Sequence, residues 1–131
     1  MKKSGILNRD IASVLSKMGH TDTLIIADCG LPVPEDTLCI DVSVKYNFPD
    51  FLTVLDAVTE DMVIEEMVLA KQMKQSNLKL HNSIKSTYSD LPIQYISHEE
   101  LKSNIKNARA VIRTGEATPF ANAILKSGVP F

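Results

Sequence analysis

Leu24-Ile25-Ile26-Ala27 runs straight into Asp28, with the polar turn Gly19-His20-Thr21-Asp22 before it and Leu31-Pro32-Val33-Pro34 after it. A short, continuous apolar run bounded by turn residues reads as a strand buried on both faces. The two prolines end it, since each lacks a ladder donor and has a fixed φ. Upstream, Ile11, Val14, Leu15 and Met18 recur at helical spacing behind Asn8, a residue type suited to an N-cap. Downstream, residues 38–42 form a second short strand candidate. Phe51, Val54, Leu55 and Val58 then mark a helix face behind Asp50.

The alternation continues to the end of the chain. Residues 62–69 read as a strand, from their β-branched start and the alternation of Ile64 with Glu65. Residues 76–88 carry Leu80 and Ile84 at helical spacing, and residues 93–96 are a β-rich strand. Ser97-His98-Glu99-Glu100 fits a capping box opening a short helix with Leu101 and Ile105 inward. Residues 110–113 follow as a strand. Thr118-Pro119 reads as an N-cap with proline at the first helical position, with Leu125 near that helix's end and Gly128 closing it. Strands alternating with helices predict a single α/β domain over residues 1–131, with a mostly parallel sheet and helices on both faces. Such sheets bind ligands beyond the carboxyl ends of their strands, which directs attention to residues 28–34 and 114–122.

Composition narrows the function. The 131 residues carry 14 Lys+Arg against 16 Asp+Glu, a length suited to one domain. With 44% hydrophobic and 23% charged residues, long disorder is not expected. No basic block is present to neutralise a phosphate backbone, so no nucleic acid partner is expected. No run approaches the ~20 apolar residues of a membrane span. Arg9 and Asp10 interrupt the chain before any secretory apolar core can form. Cys29 and Cys39 fit neither a disulfide framework nor a zinc motif, and read as reduced, small apolar fillers in a cytoplasmic protein.

No histidine pair has the i, i+4 spacing of a helical zinc site, so no metal is expected. The chain also lacks GxxxxGK[ST], GxGxxG and GxSxG, which removes the usual support for phosphoryl transfer by a P-loop, dinucleotide chemistry and α/β-hydrolase chemistry. What remains is proton transfer without a cofactor, or binding of a polar ligand. Histidine is the side chain that titrates near neutrality unaided, and there are three: His20, His81 and His98. His81 lies among polar residues and reads as a surface group. His20 sits in the turn before the first strand, and His98 opens a helix with Lys102 one turn on. Asp28 reads equally as a ligand group or as an Asx-turn residue, and Glu116 and Asn122 as ligand groups or as caps.

Several long blocks in one order resemble the ribose pyranase and fucose mutarotase family. They are Gly19-His20-Thr21-Asp22-Thr23, Ile26-Ala27-Asp28-Cys29-Gly30-Leu31-Pro32-Val33-Pro34, Ser97-His98-Glu99, and Val111-Ile112-Arg113-Thr114-Gly115-Glu116-Ala117-Thr118-Pro119-Phe120-Ala121-Asn122. The resemblance implies interconversion of the pyranose and furanose forms of D-ribose with no cofactor, delivering the furanose that a ribose kinase accepts. It implies His20 as the catalytic acid. Asp28, His98, Lys102, Phe120, Ala121 and Asn122 would bind sugar. Phe120 departs from the family's usual tyrosine, which implies a missing hydroxyl contact and an altered sugar preference. A mutarotase for fucose or another sugar, and a non-catalytic sugar-binding accessory, are the alternative readings.

His20 and Asp28 flank one strand, and the seven residues between them, at ~3.3 Å each, hold them more than about 20 Å apart if extended. A ribose cannot touch both. Either the strand is shorter than it reads, or one residue comes from a neighbouring subunit. The resemblance implies the second: ring-shaped homo-oligomers, in the family as large as a decamer, with sites between subunits.

Overall fold

Asn8 starts the first helix. In the computed structural model, which describes residues 1–131, its side-chain oxygen accepts the N–H groups of Asp10 and Ile11, both at 3.0 Å. The helix α1 (Arg9–Lys17) buries Ile11 and Val14. β1 (Thr23–Ala27) follows with four of its five residues buried, then β2 (Cys39–Asp41). Asp50 caps α2 (Phe51–Thr59) by accepting the Thr53 N–H at 2.9 Å, and Phe51, Val54, Leu55 and Val58 face inward. The remaining elements are β3 (Ile64–Ala70), α3 (Met73–Ser76), α4 (Leu78–Thr87), β4 (Ile93–Ile96), α5 (His98–Asn104), β5 (Ala110–Arg113) and β6 (Ala123–Ser127).

The six strands form one sheet in the order β2-β5-β1-β6-β3-β4. β2, β5 and β1 pair in parallel, as do β3 and β4, while β6 is antiparallel to both β1 and β3. Five strands therefore share one direction, and their carboxyl ends lie along one edge of the sheet. Side chains alternate across it. Leu24 and Ile26 pack with residues of α1, α2, α3 and α4 on one face, whereas Ile25 and Ala27 pack with Leu101 and Ile105 on the other. The expected α/β domain with helices on both faces is what forms, with the thicker layer on the first face.

Five local expectations are corrected. The segment read as a last helix is the strand β6, in the slot between β1 and β3. Helix propensities differ by under about 0.7 kcal/mol per ordinary residue, too little to outweigh ladders on both edges of a buried strand. The helix read over 76–88 forms as α4 but starts only at Leu78, because Asn77 (φ −146°) separates it from the short α3 before it. Asn77 makes no cap bond because its amide is used on the turn before β6, described below. Cys39 is exposed and Cys29 half-buried, so neither is a core filler. His81 is no free surface group: its Nε2 lies 2.7 Å from the Tyr95 hydroxyl, and burial, followed by Lys74 and Lys85, lowers its pKa below the usual histidine value. The capping box at α5 is only half built. Ser97 Oγ accepts the Glu100 N–H at 3.1 Å, but the Glu100 carboxylate meets the Ser97 hydroxyl, not its backbone N–H.

Candidate active site

The carboxyl-end edge carries a pocket of about 530 Å³, walled by the turns at residues 28–32 and 116–120 and by His98. Both turns singled out in the sequence meet here, because β1 and β5 are parallel neighbours and β6 begins at the same edge. Asp28 follows the last residue of β1. Asn122, fully buried just before β6, holds it twice: its Oδ1 accepts the Asp28 N–H and its Nδ2 donates to Asp28 Oδ2, each at 2.9 Å. Asp28 Oδ1 accepts the Gly30 N–H at 2.9 Å. Asp28 is thus an Asx-turn residue and a pocket residue at once. Each carboxylate oxygen keeps a further lone-pair direction for a ligand hydroxyl.

His98 is the first residue of α5, and its N–H reaches Gln72 Oε1 at 3.0 Å. Its Nδ1 is buried without a hydrogen-bond partner. A buried, unpaired ring nitrogen at a pocket wall is costly unless a ligand completes it. The Phe120 ring meets the imidazole edge-on, with centroids 5.0 Å apart and planes at 80°. Phe120 adopts φ +58°, a conformation that side-chain-bearing residues rarely take and that clusters at functional sites.

The turn carrying Phe120 is pinned from two sides. Glu116, buried, accepts the Phe51 N–H at Oε1 (2.9 Å) and the Thr118 hydroxyl at Oε2 (2.8 Å). It does cap a helix, but that helix is α2, far from it in sequence. Asn77 Nδ2 donates to Thr118 Oγ1 at 2.8 Å and to the Pro119 carbonyl at 2.9 Å. Arg113 braces the opposite wall: Nε and Nη2 donate to the Cys29 carbonyl at 3.1 and 3.0 Å, and Nη1 to Asp41 at 2.9 Å.

His20 is elsewhere. It precedes β1, at the amino-end edge, with Nε2 2.8 Å from Glu65 Oε2 at the start of β3. Its turn hangs from β6 through Thr21 N–H to the Ser127 carbonyl (2.9 Å) and Ser127 N–H to the Asp22 carbonyl (2.8 Å). Asp22 accepts the Gly19 N–H at 2.8 Å. That bond, assisted by Arg109, holds the Asp22 carboxyl below the usual carboxylate range. Thr21 has φ +72°, a strained value for a β-branched residue. Lys102 lies on α5 with Nζ 2.8 Å from Glu99 Oε1, and it does not line the pocket. Ala121 is fully buried. No three His, Cys, Asp or Glu side chains are grouped to hold a metal ion.

Residues 1–130 match the model of the RbsD / FucU transport protein family. The chain belongs to this family. A D-ribose pyranase of Geobacillus thermodenitrificans is 55% identical over 131 residues, covering 100% of this chain and 99% of that one. The solved structure of Bacillus subtilis RbsD complexed with D-ribose is 46% identical and superposes with a TM-score of 0.97, covering 100% of both chains. The fucose mutarotase of Streptococcus pneumoniae, solved with L-fucose, shares the fold at a TM-score of 0.77 and 23% identity, with 95% of each chain covered. Within this family member, the pocket gathers Asp28, His98 and Phe120, with Asn122 behind Asp28. His20 stands apart on the opposite edge. Glu65 and Arg113 were not singled out by sequence reasoning. Charged residues at strand ends look like ordinary solvated groups until their partners are known.

Proposed function

We propose that the chain is a D-ribose pyranase, a cofactor-free isomerase that interconverts ribopyranose and ribofuranose at sites shared between subunits of a ring-shaped homo-oligomer. The observation that carries the residue assignment is the placement of His20 and Asp28 on opposite edges of one sheet. The end-to-end likeness to proteins called D-ribose pyranase supports the reaction.

His20 of one subunit delivers its proton to the ring oxygen of ribopyranose as the bond from that oxygen to the anomeric carbon breaks. The anomeric hydroxyl gives up its proton to water or to Asp28, and the open aldehyde results. Rotation about the chain brings a different hydroxyl onto the carbonyl carbon, and the same groups run in reverse to close the furanose. A positioned acid of this kind supplies roughly 10²–10⁴-fold, sufficient for a reaction that water performs slowly. Asp28 accepts sugar hydroxyls, His98 Nδ1 completes its bonding on another, and Phe120 covers an apolar face of the sugar. Asn122 fixes Asp28, Ala121 contributes backbone only, and Lys102 joins after leaving Glu99. The reading places the step in the cytoplasm, ahead of a kinase that takes the furanose.

The test is NMR magnetisation exchange between pyranose and furanose signals of ribose. The protein is expected to accelerate exchange, and His20→Ala to lower that acceleration by roughly 10²–10⁴-fold. Acceleration of fucose anomer exchange, with none for ribose, moves the assignment to a mutarotase.

A further inference from the structure

His20 is not held by its own turn alone. Between β3 and β6, Ile64 pairs with Ser127 and Glu66 with Lys126, so two neighbouring residues of β6 face positions two apart on β3, and Glu65 is the extra residue of a bulge. A bulge re-aims the side chain it carries. Gly128 makes room for it, since a Cβ there would stand 3.3 Å from the Glu65 Cβ. The two carboxylate oxygens then divide their work. Oε1 lies 3.2 Å from Lys126 Nζ, and Oε2 lies 2.8 Å from His20 Nε2.

We propose that Glu65 is the positioning residue of His20, holding its Nε2–H so that Nδ1 is the nitrogen presented to the sugar. An ionised carboxylate only accepts hydrogen bonds, so the imidazole must donate from Nε2. Glu65 is kept ionised because the His20 bond, and then Lys126, lower its pKa below the usual carboxylate value. One ring nitrogen is thereby committed, and the other carries the exchanging proton. Lys126 stops the carboxylate from rotating, and the bulge at Glu65 together with the left-handed Thr21 sets the approach of strand and turn. Each of these features is local to this contact.

The inference rests on the reading of His20 as the acid, and the experiment separates the two. Ribose exchange is measured for the wild type, Glu65→Ala, Glu65→Gln, His20→Ala and the double variant His20→Ala/Glu65→Ala. Glu65→Ala is expected to lower kcat about tenfold with KM within about twofold, and Glu65→Gln, which can still accept the Nε2–H, to recover part of the loss. In the His20→Ala background, removing Glu65 is expected to change nothing further, a result that a merely structural role would not give. An unaltered kcat in Glu65→Ala, or an equal loss in both backgrounds, overturns the proposal. A nitrogen-15 spectrum showing His20 with a bare Nε2 and a protonated Nδ1 also overturns it. Full activity of His20→Ala overturns the assignment of the acid instead.

Discussion

At the scale of single residues, the site is a set of locked polar pairs with one apolar surface. Asn122 and Asp28 stand 94 positions apart in sequence, yet each satisfies the other's buried groups. Both were visible as candidates because polar residues at strand ends are conspicuous, but their pairing was not, since nothing local links them. Phe120 offers a ring edge to His98 and no hydroxyl to the pocket. Phe120→Tyr is therefore expected to tighten ribose binding by about 0.5–1.5 kcal/mol, roughly twofold to tenfold, as a lower KM with kcat little changed. Titration calorimetry with ribose checks it. An unchanged affinity would show that the phenolic oxygen finds no partner on the sugar.

Among the elements, β1 to β5 and the helices α1, α2, α4 and α5 were legible. Asn8, Asp50 and Ser97 announce their own helix starts through local hydrogen bonds, and the structure has all three. β6 was illegible because a short run buried on both faces looks the same as a buried helix segment. Thr118-Pro119 misled for a related reason: its hydroxyl is taken by Glu116 and its carbonyl by Asn77, leaving no cap to nucleate a helix. Element packing also sets a pH dependence. The Tyr88 hydroxyl, which donates to Asp56 and joins the end of α4 to α2, is pushed up to about 12, first by burial and then by Asp56. The unfolded value is about 10, so the native state binds the extra proton. Its stabilisation is fully present below about pH 10 and is lost as pH rises toward 12. Urea midpoints measured from about pH 9 to pH 12 are expected to fall for the wild type and to fall less for Tyr88→Phe.

For the whole molecule, His20 and Asp28 lie on opposite edges of one sheet, so the proposed reaction calls for more than one copy. In the proposed assembly, a heterologous contact closes on itself as a ring, and every subunit would lend His20 to one neighbour and take it from the other. Light scattering is expected to show an oligomer, and a fully active monomer would refute the shared site. Mixing provides a sharper check. His20→Ala and Asp28→Asn are each expected to be nearly inactive, yet random reassembly of equal amounts should restore about a quarter of wild-type sites. No recovery from reassembled mixed rings would place both residues in sites within one subunit.

The chain by itself determined the alternation of strands and helices, the caps, the two turns at the pocket, and the set of polar residues available for proton transfer. These follow from periodicity and local bonding, which act over a few residues. Only the tertiary structure decided that residues 123–127 are a central strand, that Asn122 serves Asp28, and that Glu65 meets His20 across a bulge. Those outcomes come from strand order and close packing, where partners many residues apart are chosen by the need to pair every buried polar group and leave no void.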